Sequence, residues 1–295
     1  MGLASNAGSA RWVVALEAER TLRDLGIRGD IIKTMHRAMM ERGIERGFDT
    51  YAIHDHSTAP PIIGRIVAKG LHDELTGEAY VIIDGVDGRA HHVRFPDLKM
   101  LEHLPPAGGI VEVRRLEAEG LANSRLVLAV RSDLPIEAQI AASGATWLDY
   151  RLVIREPTTL PDAGFGREVS LALDARMERL MAEGLARRQG QRVVFARDLL
   201  ATLRRRELDA ATAKIASETG LAYHPLAEGD AVTGTYRQRI VLASGRFAMI
   251  DDGLGFQLVP WRPSLERQLG RQVSGIVGVG NQIDWRLTPK RELAL

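Results

Sequence analysis

The sequence predicts an α+β fold: two small β-barrels of the SH3-like or OB-like kind, joined by a helical, winged-helix-like middle and preceded by an N-terminal helix pair. Three observations carry this. From Ser244 to Trp261, two short runs rich in β-branched, aromatic and large apolar residues flank Asp251-Asp252-Gly253, the residue types that turn a chain back on itself. That stretch reads as a tight hairpin. Its echo lies upstream, where Ala79-Tyr80-Val81-Ile82-Ile83-Asp84-Gly85 leads through Val86-Asp87-Gly88 into Ala90-His91-His92-Val93-Arg94-Phe95-Pro96. A Gly-Ile-Val triplet follows each hairpin at a similar distance, at 109–111 and at 275–277, which points to two copies of one β unit with helices between them.

Taken in order, the chain divides into 1–58 (helices and a loop), 59–133 (first barrel), 134–165 (short helices and linker), 166–221 (helical module) and 222–295 (second barrel). Trp12, Leu16, Leu22 and Leu25 recur near helical spacing from Arg11 to Leu25, with Gly26 as the expected stop. Asp30 then caps a second helix to about Arg42, with Ile31, Met35, Ala38 and Met39 inward. Gly64 to Ala68, the hairpin, Ile110 to Arg114 and Arg125 to Val130 supply the strands of the first barrel. Residues 135–154 read as two short helices interrupted near Gly144, burying Trp147, Leu148 and Leu152; the proline- and glycine-punctuated run from Arg155 to Gly166 reads as a linker. Glu168 to Glu183 and Asp198 to Thr219 are helices flanking a short basic hairpin over Gln189-Gly190-Gln191. Val232 to Leu242, the Ser244–Trp261 hairpin, a short helix with Leu265 and Leu269, and a last hairpin around Gly280-Asn281 complete the second barrel.

With 295 residues and 45% hydrophobic content the chain has the composition of a folded, multi-domain protein. Its 39 basic and 38 acidic side chains leave a net charge of only +1, so any affinity for nucleic acid must come from local clustering. The absence of cysteine excludes disulfides, thiolate metal sites and a cysteine nucleophile, and fits a cytoplasmic protein. The apolar run near the start, Trp12 to Leu16, is too short for a signal-peptide core or a membrane span, so no membrane partner is expected.

The strongest chemical feature is the interval carrying Arg187, Arg188, Arg192, Arg197, Arg204, Arg205 and Arg206, with Asp198 and Glu183, Glu207 and Asp209 nearby. A guanidinium donates two parallel hydrogen bonds to a phosphate, and release of condensed counterions drives such binding. The competing reading is a solvated, arginine-rich helix end. His54-Asp55-His56 is a weaker candidate: in an extended chain both imidazoles share a side, and His91 or His92 would supply a third metal ligand for a nuclease site. Asp84, Asp87, Asp251 and Asp252 admit an acid-base reading, but Asp before Gly is ordinary turn chemistry. Gly275, Gly278 and Gly280 lack the helix that a dinucleotide loop requires, and there is no P-loop, nucleophile elbow or zincin helix. No cofactor and no small-molecule substrate are expected.

Gly184-Leu185-Ala186-Arg187-Arg188-Gln189-Gly190-Gln191-Arg192, Leu203 to Leu208, Ala243 to Gly253 and Leu258-Val259-Pro260-Trp261 together resemble the C-terminal region, a domain of unknown function, of proteobacterial plasmid and integrative-element relaxases. Gly64-Arg65-Ile66-Val67, Ile83 to Arg89 and Gly144 to Asp149 resemble its first half. The resemblance runs from about residue 27 to the end. It implies a role in conjugation and DNA mobilisation. It also implies that the nicking domain, with its catalytic tyrosine and three-histidine metal site, would lie upstream, where nothing ahead of Arg11 has room for it. No catalytic residue is carried over. The expectation is a non-catalytic module binding DNA or relaxosome components. The alternatives are a protein-interaction scaffold for secretion-coupling proteins and a metal-dependent nuclease at His54 and His56.

Overall fold

The computed structural model describes residues 4–6, 12–55, 60–116, 125–154 and 159–286; Arg11, His56 and residues 155–158 of the expected linker lie outside the described residues. The chain forms two compact units, residues 1–129 with 160–169 and residues 130–159 with 170–295. Among the described residues, six α-helices and two six-stranded mixed sheets make up most of the structure.

In the first unit, β1 (Ala4–Asn6) pairs with β2 (Trp12–Val14), and α1 runs unbroken from Ala18 to Glu41. The expected helix pair is therefore one helix. Gly26 and Gly29 lie inside it without positive φ, and Asp30 pairs with Lys33 instead of capping, because a glycine weakens a helix but stops it only where the backbone turns left-handed. β3 (Tyr51–His54), β4 (Ile62–Leu71), β5 (Ala79–Gly85), β6 (Ala90–Phe95), β7 (Ile110–Leu116) and β8 (Arg125–Ser132) form a sheet in the order β3-β6-β5-β4-β7-β8. β3 joins β6 in parallel.

One face of this sheet buries Ile62, Ile66, Val81, Ile83, Val93 and Phe95; the other buries Val67, Ile82 and Ala90 against Ile31, Met35 and Met39 of α1. Two buried faces explain why β5 reads as a continuous apolar run. They also explain why the barrel expectation fails: the sheet is open, with β3 and β8 at its ends, since one face is given over to a helix.

The second unit opens with α2 (Ile136–Ala141) and α3 (Trp147–Val153), as the sequence predicts. A capping box between Thr146 and Asp149 starts α3, and the buried Arg176 of α4 (Gly164–Ala182) both pairs with Asp149 and donates to the Ile140, Ala142 and Gly144 carbonyls. β9 (Ala186–Gln189), β10 (Arg192–Phe195) and α5 (Leu199–Thr219) follow, and Gly220 ends α5 with a φ of 72°. The first half of α5 packs Leu199 and Leu203 with Leu180, Leu185 and Ala145; the second half packs Ile215 with Met249, Phe256 and Leu258 of a sheet. α5 thus faces two partners along its length, unlike the self-contained helical module expected for 166–221.

That sheet comprises β11 (Ala222–Tyr223), β12 (Ala231–Leu242), β13 (Gly245–Asp251), β14 (Gly255–Pro260), β15 (Gln272–Val277) and β16 (Ile283–Trp285), with α6 (Pro263–Glu266) between β14 and β15. Its order, β11-β14-β13-β12-β15-β16, repeats that of the first sheet strand for strand, and β11 again joins in parallel. It too is open, not a closed barrel. The internal duplication is real, but the Gly-Ile-Val correspondence is not: Val111 stands opposite Gly64, and the residue opposite Gly234 is Val273, not Val277.

Candidate nucleic-acid interface

The arginine-rich interval is built on a hairpin. Gly184, at φ 73°, releases the chain from α4; Leu185 and Ala186 are buried, and Ala196 donates to the Leu185 carbonyl to close the base of the hairpin. Gly190, at φ 60°, makes the two-residue turn with Gln191, and Arg192 pairs with Gln189, Val193 with Arg188, and Val194 with Arg187. Strand alternation places Ala186, Arg188, Val193 and Phe195 on one face and Arg187, Gln189, Arg192 and Val194 on the other. Val193 and Phe195 pack onto the helical cluster, which turns Arg187 and Arg192 outward. As diagonal neighbours on one face of a ladder, they sit at the roughly 7–8 Å spacing of such pairs.

The remaining arginines divide. Leu199 and Leu203 fix the buried stripe of α5, so Arg204, Arg205 and Arg206 fan around its other sides. Arg204 is half-buried with its guanidinium 5.5 Å from the Phe247 ring centroid, and Arg206 lies 3.9 Å from Glu183. Arg187, Arg188, Arg192, Arg197 and Arg205 are exposed and make no hydrogen bond or ion pair with the described residues. Glu207, read from sequence as a charge that offsets the arginines, turns inward: its carboxylate accepts from the Ala243 and Ser244 N–H groups at 2.7 and 2.9 Å and from the Ser244 hydroxyl, over the space that Gly144 leaves without a side chain.

The histidine candidates take another form. His54 Nε2 lies 3.1 Å from His91 Nδ1, and His91 Nε2 lies 3.0 Å from Asp87 Oδ1, so the three side chains form a hydrogen-bonded chain and do not converge on an ion. Burial, with the His91 charge second, lowers the His54 pKa; at Asp87 burial acts upward but the His91 hydrogen bond and charge outweigh it. Among the described residues no group of three or more histidine and acidic side chains is arranged to hold a metal. His92 lies on the opposite face of β6 from His91, beside α1.

Three of the four turn aspartates behave as turn residues. Asp87 accepts from the Arg89 N–H, Asp251 from that of Gly253, and Asp252 from those of Leu254 and Gly255. Asp84 does not. It is fully buried and bonded to Arg46 at 2.8 and 3.1 Å and to Arg65 at 2.9 and 3.1 Å, while Glu168 bridges the same two arginines. Burial opposes charge on Arg46, yet its carboxylate partners raise its pKa above the ordinary value. Arg65 also stands 4.5 Å from the Phe165 ring centroid. Two cations against two anions leave no net charge for a ligand. Nothing local in the sequence marks this cluster, whose members come from four separate segments.

The DUF3363 family, described as proteins of unknown function, matches the chain over residues 1–130 and 117–294. No curated protein and no solved structure matches it. No helix among the described residues is long and apolar enough to cross a membrane.

Proposed function

We propose that this chain, which belongs to the DUF3363 family, is a non-catalytic module of DNA mobilisation, the role its sequence resemblance to relaxase C-terminal regions implies, and that it grips nucleic-acid phosphates with the β9–β10 hairpin. The single observation behind this reading is the hairpin's outer end, where Arg187, Arg188 and Arg192 are exposed and unpaired with the described residues. A projecting basic hairpin set between α4 and α5 supports this reading, since its exposed guanidinium groups can follow a phosphate backbone. Each guanidinium that neutralises a phosphate adds about 0.9 to the salt slope of duplex binding. The net charge of +1 means that this local cluster, and not the chain as a whole, must supply the attraction.

Binding of the full chain to labelled single- and double-stranded DNA across a salt series tests this. The triple variant R187Q/R188Q/R192Q should lower the salt slope by about 3 and weaken binding uniformly across sequences. R204Q and R206Q should change it little, since those side chains are engaged with Phe247 and Glu183. Binding that survives the triple variant intact would remove the hairpin from the interface. DNA should stay uncut in chelator and in manganese; nicking that depends on His54 would favour the nuclease reading.

A second reading, a scaffold for relaxosome or secretion-coupling proteins, draws on the first turns of α1, where Leu22, Leu25 and Ile27 are 56%, 44% and 46% exposed. Under that reading L22E/L25E abolishes capture of a transfer protein and leaves DNA binding untouched.

A further inference from the structure

The β9–β10 ribbon carries cations on both of its faces. Arg187 and Arg192 lie on the outward face, while Arg188, paired with Val193, lies on the inward one. Val193 is half-buried against the helical cluster, yet Arg188 across from it is exposed and bonds to none of the described residues. The ribbon therefore overhangs its support from Arg188 onward. Beyond that point Gln189, Gly190 and Gln191 form an exposed tip, and no acidic residue occurs between Gly184 and Arg197. At Gly190 a Cβ would meet nothing within 4 Å, so the end of the tip is bare backbone that another molecule can approach closely.

These features select the form of nucleic acid. Proteins that hold single strands stack the bases on aromatic rings. The one aromatic residue of the hairpin, Phe195, is on the inward face and packs in the helical cluster, so the tip offers no stacking platform. Guanidinium groups on opposite faces of a ribbon meet phosphates on two sides at once, which is how the walls of a duplex groove present them. A single backbone following one face would leave Arg188 idle. The major groove of B-DNA, about 12 Å wide, admits a two-stranded ribbon, whereas the minor groove, about 6 Å wide, is too narrow for one flanked by arginines. The major groove of A-form RNA is too deep and narrow for side chains to read.

Given the phosphate-binding role of the hairpin, on which this rests, we infer that the hairpin enters the major groove of duplex DNA tip first. Arg188 meets the phosphates of one strand, Arg187 and Arg192 those of the other, and the Gln189 and Gln191 amides reach the base edges. A carboxamide sets a donor beside an acceptor. Adenine offers the complement in the major groove, an N7 acceptor beside an N6 donor, so the tip favours adenine while the arginines hold any sequence.

Selection of duplexes from a randomised DNA library by the full chain tests this. Enrichment of a short adenine-containing site is expected, and the single strand of the same sequence should bind more weakly than the duplex. Q189A/Q191A, which changes only exposed tip residues, should keep the salt slope and enrich nothing. Replacing the enriched adenine with 7-deazaadenine removes N7 from the major-groove edge and leaves the minor groove intact; it should weaken binding by the unaltered chain about tenfold and binding by Q189A/Q191A not at all. Salt-sensitive binding that falls in R187Q/R188Q/R192Q but enriches no sequence would overturn the groove reading and leave phosphate binding by the hairpin standing. Enrichment that survives Q189A/Q191A or ignores 7-deazaadenine would also overturn it, since another element would then read the bases. Binding indifferent to the triple arginine variant would remove both.

Discussion

The two sheets share a backbone and differ in what they do with it. In both, a helix covers one face and leads into a parallel edge strand, α1 before β3 and α5 before β11. In both, the long second strand bulges, between Ile66 and Ala68 and between Tyr236 and Gln238, and the residue entering the bulge exchanges hydrogen bonds with the residues just before β7 or β15. Gly64 and Gly234 precede these bulges at the same offset, and a Cβ on either would collide with the carbonyl oxygen of Asp84 or Asp251 across the ladder. The aspartates themselves diverge. Asp84 is enclosed by two arginines and Glu168, whereas Asp251 meets Arg237, whose side chain is 58% exposed. The hairpin loops diverge further: His72 to Glu78 walls a cleft, while Ala243-Ser244 is a bare turn clamped by Glu207. Backbone positions with no room for variation have kept the repeat; side chains that meet partners outside the sheet have acquired separate roles.

Replacing Asp84 with Ala should give the largest contrast between the units. It leaves Arg46 and Arg65 short of a carboxylate in a site where each is 13% exposed, an expected loss of about 3–5 kcal/mol. The matching D251A, at a solvent-screened pair, should cost less than about 1 kcal/mol. Chemical denaturation of the two variants, with hydrogen exchange assigning the loss to a unit, checks this, and equal losses would erase the distinction between a buried and a screened pair.

A pH effect of about 3 kcal/mol should follow in the first unit. Burial, reinforced by the charge of His72, pushes the His92 pKa down to about 4. An unfolded histidine titrates near 6.5, so between those values the unfolded chain binds more protons than the folded one. The stability from neutral His92 is therefore complete above about pH 6.5 and drains away as pH falls toward 4. H92F should flatten the first unit's pH profile across that window, read by hydrogen exchange or by a local fluorescent probe.

The smallest contrast tests the shared frame. G64A and G234A should each destabilise their own unit by about 1–3 kcal/mol, the usual range for forcing extra volume into a packed site. Similar losses support one backbone solution used twice; a tolerated alanine at either position would show that its ladder has room to yield.

Much of the fold was readable because the signals act over a few residues. Alternating apolar runs with Asp and Gly between them specify the hairpins, and left-handed glycines at 184 and 220 end the helices before β9 and β11. The short helices around Gly144 and the burial of Trp147 and Leu148 followed from the same local reasoning. Sheet closure was not readable, because it depends on whether a helix occupies one face, and the residues that bring α1 and α5 onto their sheets are dispersed along the chain. Gly26 looked like a stop for the same reason: propensity is a weak local preference, and the packing of Ile31, Met35 and Met39 lies beyond its reach.

The candidate site shows the same division. Local sequence placed seven arginines within one short interval and a tight turn at Gly190, and a hairpin of such length must project its tip. Packing then selected among them, engaging Arg204 with Phe247 and Arg206 with Glu183 and leaving the hairpin's three exposed. Packing likewise converted Asp84 from a turn residue into the centre of an ion cluster and left His92 Nδ1 buried without a partner. Secondary structure responds to neighbours within about one helical turn or one hairpin, whereas the partner of a charge, or its lack of one, is chosen by segments that meet only after the chain has folded.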